Sequence, residues 1–293
     1  MITNSLEMLQ DARDKGYAVA SFNTNNLEWT KAILLTAQAA NSPVMIQVTA
    51  GAAKYMGNLK TAYHLIVDLH EALNITVPVA IHLDHGNYED AKLAIELGFT
   101  SVMFDGSHFP IEENLAKTHE IVELAHAKGV TVEAEVGTIG GEEDGLVAVG
   151  EIAPVEDAVA LINTGVDILA AGIGNVHGPY PANWKSLDFA HLADIQQAVD
   201  EATGRAVPLV LHGGSGIPDE QIQRAISLGV AKINVNTEGQ LAFHKAVRDF
   251  VLSGEDLRGK NYDPRKFLAP GTNAIITAFT TRIDVFGSTG RAY

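Results

Sequence analysis

The chain has no cysteine among its 293 residues, which excludes disulfide staples and thiolate ligands or nucleophiles. No apolar run approaches the roughly 18 residues a membrane-crossing helix needs, and no basic stretch precedes an apolar one near the start, so neither a membrane span nor a secretory leader is expected. Basic residues are scarce. Twenty Lys+Arg against 36 Asp+Glu leave a formal charge of -16, which disfavours nucleic acid and anionic membranes as partners. A reducing, cytoplasmic setting is the expectation, and an anionic substrate would need local donors to hold it. What remains is an ordinary globular composition, 46% hydrophobic and 19% charged. A chain of this length buries roughly 75% of its unfolded surface and needs no staple.

Short β-branched runs alternate with helix-length amphipathic stretches, the pattern of βα units in a parallel sheet. Eight runs stand out, over residues 17–23, 44–49, 79–84, 101–105, 130–136, 168–172, 209–212 and 232–235. Their nearly continuous apolar character fits strands buried on both faces. Helical patterns cover 27–40, 59–73, 88–97, 111–128, 155–164, 189–202, 219–228 and 238–252, several followed by a glycine stop at Gly98, Gly129, Gly165 or Gly229. The spacing predicts one α/β domain over residues 1–293, a single (β/α)8 TIM barrel. A C-terminal extension from about residue 264 carries an extra helix over 274–285 that packs outside the barrel or against a partner subunit. Residues 137–150, rich in glycine and acid, read as a mobile loop after strand five.

In such a barrel the reactive residues stand at the C-terminal ends of the strands. Strand three closes on His82-Leu83-Asp84-His85-Gly86, strand four on Asp105, strand five on Glu133-Ala134-Glu135. Asn175-Val176-His177-Gly178 follows strand six, and His212-Gly213-Gly214-Ser215-Gly216 ends strand seven. His85, His177 and His212 therefore meet at one rim, and three imidazoles with an open position are the catalytic arrangement for Zn²⁺. Alternation puts His82 and Asp84 on one face and His85 on the other, so all reach the site only if the strand ends near Asp84. His82 falls to a supporting or packing role. His64, His70, His119, His126, His191 and His244 lie in helical stretches and read as surface or structural residues; His108 lies in a loop and is undecided. Asp84, beside a ligand, is the natural proton-transfer group. The Gly213–Gly216 turn ahead of a helix offers backbone amides and a hydroxyl to a phosphate, with Asn234, Val235, Asn236 and Thr237 completing that pocket. Lys232 opens strand eight, at the wrong end for a Schiff base. No G-x-S-x-G elbow occurs.

Taken together, Phe22-Asn23-Thr24-Asn25-Asn26, His82–Gly86, Phe104–Ser107, residues 133–145, Asn175–Gly178, His212–Gly216, Asn234–Glu238 and Asp263-Pro264-Arg265 closely resemble the class II, metal-dependent fructose-bisphosphate aldolases, of the bacterial class IIB type, nearly end to end. The resemblance implies zinc-dependent, reversible cleavage of fructose 1,6-bisphosphate to dihydroxyacetone phosphate and glyceraldehyde 3-phosphate. It implies Zn²⁺ on His85, His177 and His212, Asp84 as proton donor to the C4 oxygen, and Asp105 and Glu135 as ligands of a second or displaced divalent metal. It further implies a loop carrying Glu142 and Glu143 that closes over the substrate, with Glu143 handling the dihydroxyacetone phosphate proton. Asn23, Thr49, Gly178, Gly213, Gly214, Ser215, Asn234, Val235, Asn236 and Thr237 would contact substrate, with a monovalent cation, Na⁺ or K⁺, beside the phosphate. Many relatives carry serine where Thr49 stands. Arg265 would reach the other phosphate from a neighbouring subunit, which implies a homo-oligomer, a dimer or tetramer. Tagatose-1,6-bisphosphate aldolase shares nearly every motif, though Asn236 looks like the fructose type. A catalytically silent barrel serving binding or adhesion is the alternative from another class, and nothing in a binding role demands three rim histidines.

Overall fold

A computed structural model describes residues 1–143 and 146–293, with the side chains of residues 143 and 146–148 outside the description. The chain runs α1 (Ser5–Lys15), β1 (Val19–Asn23), α2 (Leu27–Ala40), β2 (Val44–Val48), α3 (Ala50–Met56), α4 (Leu59–Ala72), β3 (Val79–Gly86) and α5 (Tyr88–Leu97). It continues through β4 (Ser101–Phe104), α6 (Ile111–His126), β5 (Thr131–Val136), β6 (Gly140–Glu143), β7 (Leu146–Ala148), α7 (Val155–Ile162), β8 (Ile168–Ala171) and β9 (Val176–His177). The last part is α8 (Phe189–Thr203), β10 (Leu209–Leu211), α9 (Asp219–Ser227), β11 (Val230–Val235), α10 (Thr237–Leu252), a 3-10 turn (Glu255–Leu257), α11 (Pro264–Phe267) and α12 (Ala269–Val285). Strands β1, β2, β3, β4, β5, β8, β10 and β11 close into a parallel barrel with the helices outside, the expected (β/α)8 architecture.

Local chemistry sets the element ends. Asn26, Asn58 and Asn87 each accept, through the side-chain oxygen, from the amide three residues on and so close the first turns of α2, α4 and α5. The glycines expected to stop helices, Gly98, Gly129, Gly165 and Gly229, all have positive φ.

Several expectations need correction. Strand eight begins at Val230, so Lys232 does not open it but lies within it, fully buried. Strand three runs on to Gly86; what brings His85 to the rim is a register shift between Leu83 and Gly86, with His85 itself in the left-handed region at φ 47°. That conformation costs a non-glycine residue about 1–2 kcal/mol. The glycine-rich loop holds the hairpin β6–β7, whose first strand also pairs in parallel with β9. Helices α1 and α3 have no counterpart in the sequence reading, and α12 starts five residues before position 274. It packs outside the barrel over α2 and α10, with Phe279 stacked on Phe22 at 3.9 Å.

The inward-facing residues divide into two zones. At the N-terminal end, Val19, Met45, Ala80, Ile168, Ala170 and Val210 form an apolar cluster with Met8, Leu9 and Ala12 of α1, which plugs that end. One inward position further along, Ser21, Gln47, His82 and His212 are polar yet buried, and Asp84, Glu133, Lys232 and Asn234 join them. The outward residues of the same strands, among them Ala20, Phe22, Ile46, Ile81 and Leu211, belong to the core shared with the helices.

Candidate active site

His85, His177 and His212 converge at the C-terminal rim, with one ring nitrogen of each within 4.8 Å of the others. Their ring centroids are 4.7–5.7 Å apart. His85 comes from the irregular end of β3, His177 from β9, and His212 from the residue after β10. Asn175 ties two of these segments together: its Nδ2 donates to the His212 carbonyl at 3.0 Å and its Oδ1 accepts from the Ile173 amide at 3.0 Å. Gly213 lies so close to the β9 backbone that a Cβ would sit 2.2 Å from the Val176 carbonyl oxygen, and its φ is 66°. Only glycine fits there.

Each of two imidazoles is anchored by a carboxylate through the nitrogen turned away from the rim. His85 Nδ1 lies 2.8 Å from Asp105 Oδ2, and His212 Nε2 lies 2.9 Å from Glu133 Oε1. The nitrogens left over, His85 Nε2 and His212 Nδ1, face one another at 2.9 Å. With both carboxylates accepting and both rings neutral, the facing atoms present lone pairs to a shared position, an arrangement that suits a cation between them. The donor set, three imidazoles with a second set of His85, Asp105 and Glu135, fits a divalent transition metal. Buried Glu135 Oε2, which has no hydrogen-bond partner, adds to that fit.

Burial and charge set the protonation states. Burial, then the charges of His85 and Lys232, holds His212 well below the ordinary imidazole range, so the ring is neutral as a ligand must be. Burial pushes the Glu135 carboxyl well up, and the neighbouring Asp105 charge pushes it further. Burial also raises Asp105, but the bonds and charge of His85 and the Ser107 hydroxyl and amide outweigh it, and Asp105 lies well below its usual value.

Asp84 is buried at the rim and held by three amides. Its Oδ2 accepts from Asn23 Nδ2 at 3.0 Å and Gln47 Nε2 at 2.9 Å, and its Oδ1 accepts from Asn234 Nδ2 at 3.2 Å. Gln47 is in turn fixed by Ser21 Oγ, which donates to Gln47 Oε1 at 2.5 Å. Oδ1 lies 4.0 Å from His85 Nε2.

A cavity of about 140 Å³ opens beside this cluster, lined by Asn23, Glu142, His177, Gly178, Gly213, Ser215, Asn234, Asn236, Thr237 and Gln240. The N-terminus of α10 opens into it, an arrangement suited to an anion. Ser215 Oγ accepts from the Asn236 and Glu238 amides at 3.3 Å each. A larger cavity of about 660 Å³ lies on the other side of His85 and His177, lined among others by Lys54, Asp105, Ser107, His108 and Glu135.

Four substrate contacts from the sequence lie outside the smaller cavity's lining. The Gly214 amide donates to the Asn234 carbonyl at 2.9 Å, and Val235 sits in the outer core. Thr49 caps α3 through Oγ1, which accepts from the Ala52 amide at 3.2 Å. Arg265 is 89% exposed and paired with Asp263 at 2.6 Å. Glu143 lies outside the described side chains. Of the helical histidines, His126 bonds Asp167 at 3.0 Å and His191 the Ala153 carbonyl at 2.6 Å, as structural residues would. His108 is exposed against Phe109, in the larger cavity.

Sequence reading did not single out Gln47 and Gln240, nor Tyr180, whose hydroxyl donates to the Gly213 carbonyl at 2.8 Å. A polar residue in the middle of an apolar run, as Gln47 is in VMIQV, is the signal that was there to be used.

These features define an α/β-barrel enzyme scaffold with a histidine-rich rim beside a cavity suited to an anion. The class-II fructose-bisphosphate aldolase family matches residues 3–291. The fructose-bisphosphate aldolase of Streptococcus pyogenes serotype M1 is 60% identical over 296 residues, covering 99% of each chain, and that of Mycoplasma pneumoniae is 48% identical over 294 residues, covering both chains fully. Among solved structures, the YdjI aldolase from Escherichia coli K12 aligns over the whole of both chains with a TM-score of 0.83 at 33% identity. The fructose-bisphosphate aldolase from Campylobacter jejuni reaches 0.82 at 26% identity, over 99% of this chain and 96% of its own. The chain belongs to the class II fructose-bisphosphate aldolase family of enzymes.

Proposed function

We propose that the protein catalyses zinc-dependent, reversible cleavage of fructose 1,6-bisphosphate to dihydroxyacetone phosphate and glyceraldehyde 3-phosphate, as a cytoplasmic step of glycolysis and gluconeogenesis. The observation that carries this reading is the juxtaposition of three imidazoles, a fixed carboxylate and an anion-sized cavity at one rim. His85, His177 and His212 would hold the ion, with Asp105 and Glu135 able to hold a second or displaced one. A divalent ion there supplies the electron sink that cleavage of the C3–C4 bond requires.

The side chains do the rest. Asp84 Oδ1 takes the C4 hydroxyl proton as the bond breaks and returns it in the condensation direction. Asn23, Gln47 and Asn234 donate to that carboxylate and set its orientation. The Ser215 hydroxyl, Asn236, Thr237 and the first turn of α10 bind the dihydroxyacetone phosphate end, alongside Gly178 and Gly213. A Na⁺ or K⁺ ion beside that phosphate fits buried Asn236 Oδ1, which has no hydrogen-bond partner. Glu143 handles the dihydroxyacetone phosphate proton. Arg265, on an exposed corner, meets the other phosphate in a neighbouring copy of a homodimer or tetramer.

Cleavage of fructose 1,6-bisphosphate by purified protein, before and after EDTA and again with zinc restored, tests the reading. Activity lost to the chelator and recovered with zinc is expected; activity surviving complete metal removal would overturn it. Tagatose 1,6-bisphosphate, assayed beside it, should give the lower kcat/KM.

A further inference from the structure

The barrel lumen contains an ion pair that the reaction above does not use. Glu133 lies on β5 and Lys232 on β11, two strands separated in the barrel by β8 and β10, so the pair crosses the lumen. Both side chains are fully buried, and Lys232 Nζ lies 2.8 Å from Glu133 Oε2. His82 completes the group: its Nε2 is 3.3 Å from Lys232 Nζ, and its Nδ1 is 2.8 Å from Ser101 Oγ. An ion pair at this depth is not a simple gain in stability, because desolvating both charges offsets most of their attraction. Its presence directly beneath the rim calls for another reason.

The second oxygen of Glu133 gives one. Oε1 lies 2.9 Å from His212 Nε2, and a carboxylate can only accept, so Nε2 carries the proton and Nδ1 carries the lone pair. His85 is set the other way, its Nδ1 toward Asp105 and its Nε2 toward the rim. The two rings thus present opposite nitrogens to the same point. A neutral imidazole has no strong intrinsic preference between its tautomers, and among the described residues the carboxylate of Glu133 is the acceptor that His212 Nε2 meets.

We infer that Glu133, anchored across the lumen by Lys232, is a positioning residue that locks His212 in the tautomer and orientation in which Nδ1, not Nε2, is the metal-binding atom. Lys232 holds the second oxygen of Glu133 across the lumen at full burial, and His82 with Ser101 brackets the Lys232 side chain. The role rests on the metal-site reading given above and adds the internal support for one of its three ligands.

The test uses ¹⁵N-histidine-labelled protein loaded with ¹¹³Cd²⁺, read by long-range ¹H–¹⁵N NMR, with His212 assigned by the signal lost in His212→Gln. A one-bond ¹¹³Cd coupling on His212 Nδ1, with Nε2 protonated, is expected. Coupling on Nε2 with Nδ1 protonated would overturn the inference while leaving the metal site intact, whereas no ¹¹³Cd coupling on any of the three rim histidines would instead overturn the metal-site reading. A second arm measures Cd²⁺ affinity by chelator competition in Glu133→Gln and in Glu133→Gln/Lys232→Met, the latter removing both charges together. Affinity about 10–100-fold below native is expected in each folded variant. A folded double variant within about twofold of native would sink the inference, and if neither variant folds the NMR result on native protein decides.

Discussion

The two ends of the barrel lumen are built from the same strands to opposite purposes. Val19, Met45, Ala80 and Val210 are apolar and seal against Leu9 of α1, whereas Ser21, Gln47, His82 and His212, each two residues further along its strand, are polar and hydrogen-bonded. Burial is nearly complete in both zones. What differs is how the buried atoms are satisfied: by dispersion and the absence of water below, by closed hydrogen-bond networks above. Stability and chemistry are thereby separated along the barrel axis by a single inward step of each strand.

Substitutions on either side of that step should break different properties. The largest effect is expected at Asp84→Asn, which keeps the shape and removes the base; kcat should fall by about 10²–10⁴-fold with the fold intact, and turnover within tenfold of native would remove Asp84 from proton transfer. Leu9→Ala in the lower zone should cost about 2–5 kcal/mol in urea unfolding while kcat of the folded protein stays unchanged. A matching loss of kcat there would mean the zones are not separate. Gln47→Met deletes one amide donor to Asp84 and should lower kcat by about 10–150-fold, in line with about 1.5–3 kcal/mol for a hydrogen bond to a charged group, with KM little changed.

The smallest effect concerns acid. Burial, then the Lys232 charge, holds His82 well below the ordinary imidazole value of about 6.5, so the native ring stays neutral while the unfolded chain takes up a proton below that pH. The unfolded state binds more protons there, and stability therefore falls as pH drops through 6.5, at up to about 1.4 kcal/mol per pH unit for this group. Urea midpoints of metal-free protein at pH 7.5 and 5.5 should converge more closely in His82→Gln than in the native chain; equal slopes would show that His82 is not the group responsible.

Most of the upper zone's rim was legible in the sequence because rim residues interrupt or follow apolar runs. His85, His177, His212 and Asp84 stand out that way, and the structure brings them together. The zone just beneath was legible only in part: His82 reads as a supporting residue, and it bonds Ser101 and Lys232 as one. Gln47, Glu133 and Lys232 sit inside strands, where a polar residue facing the lumen cannot be told by pattern from one at a strand end, so Lys232 reads as an opening residue. The period-two rule also misplaces His85, because the turn of its backbone to positive φ is a tertiary arrangement that no alternation encodes. Helix α1 escapes notice for a simpler reason: it precedes the first strand, so the βα rhythm does not call for it.

The pairing of β6 with β9 has a further consequence. Gly140 and Gly141 of the hairpin lie in register with Val176 and His177, so the strand bearing Glu142 and the strand bearing a rim imidazole share one backbone ladder. A ligand that moved the His177 backbone would move the paired backbone of Gly140 and Gly141 with it. By thermodynamic reciprocity, a shift of that strand that changed ligand affinity at His177 would itself be favoured or opposed by the ligand by the same factor. The ladder thus joins a rim imidazole mechanically to the strand from which Glu142 lines the smaller cavity.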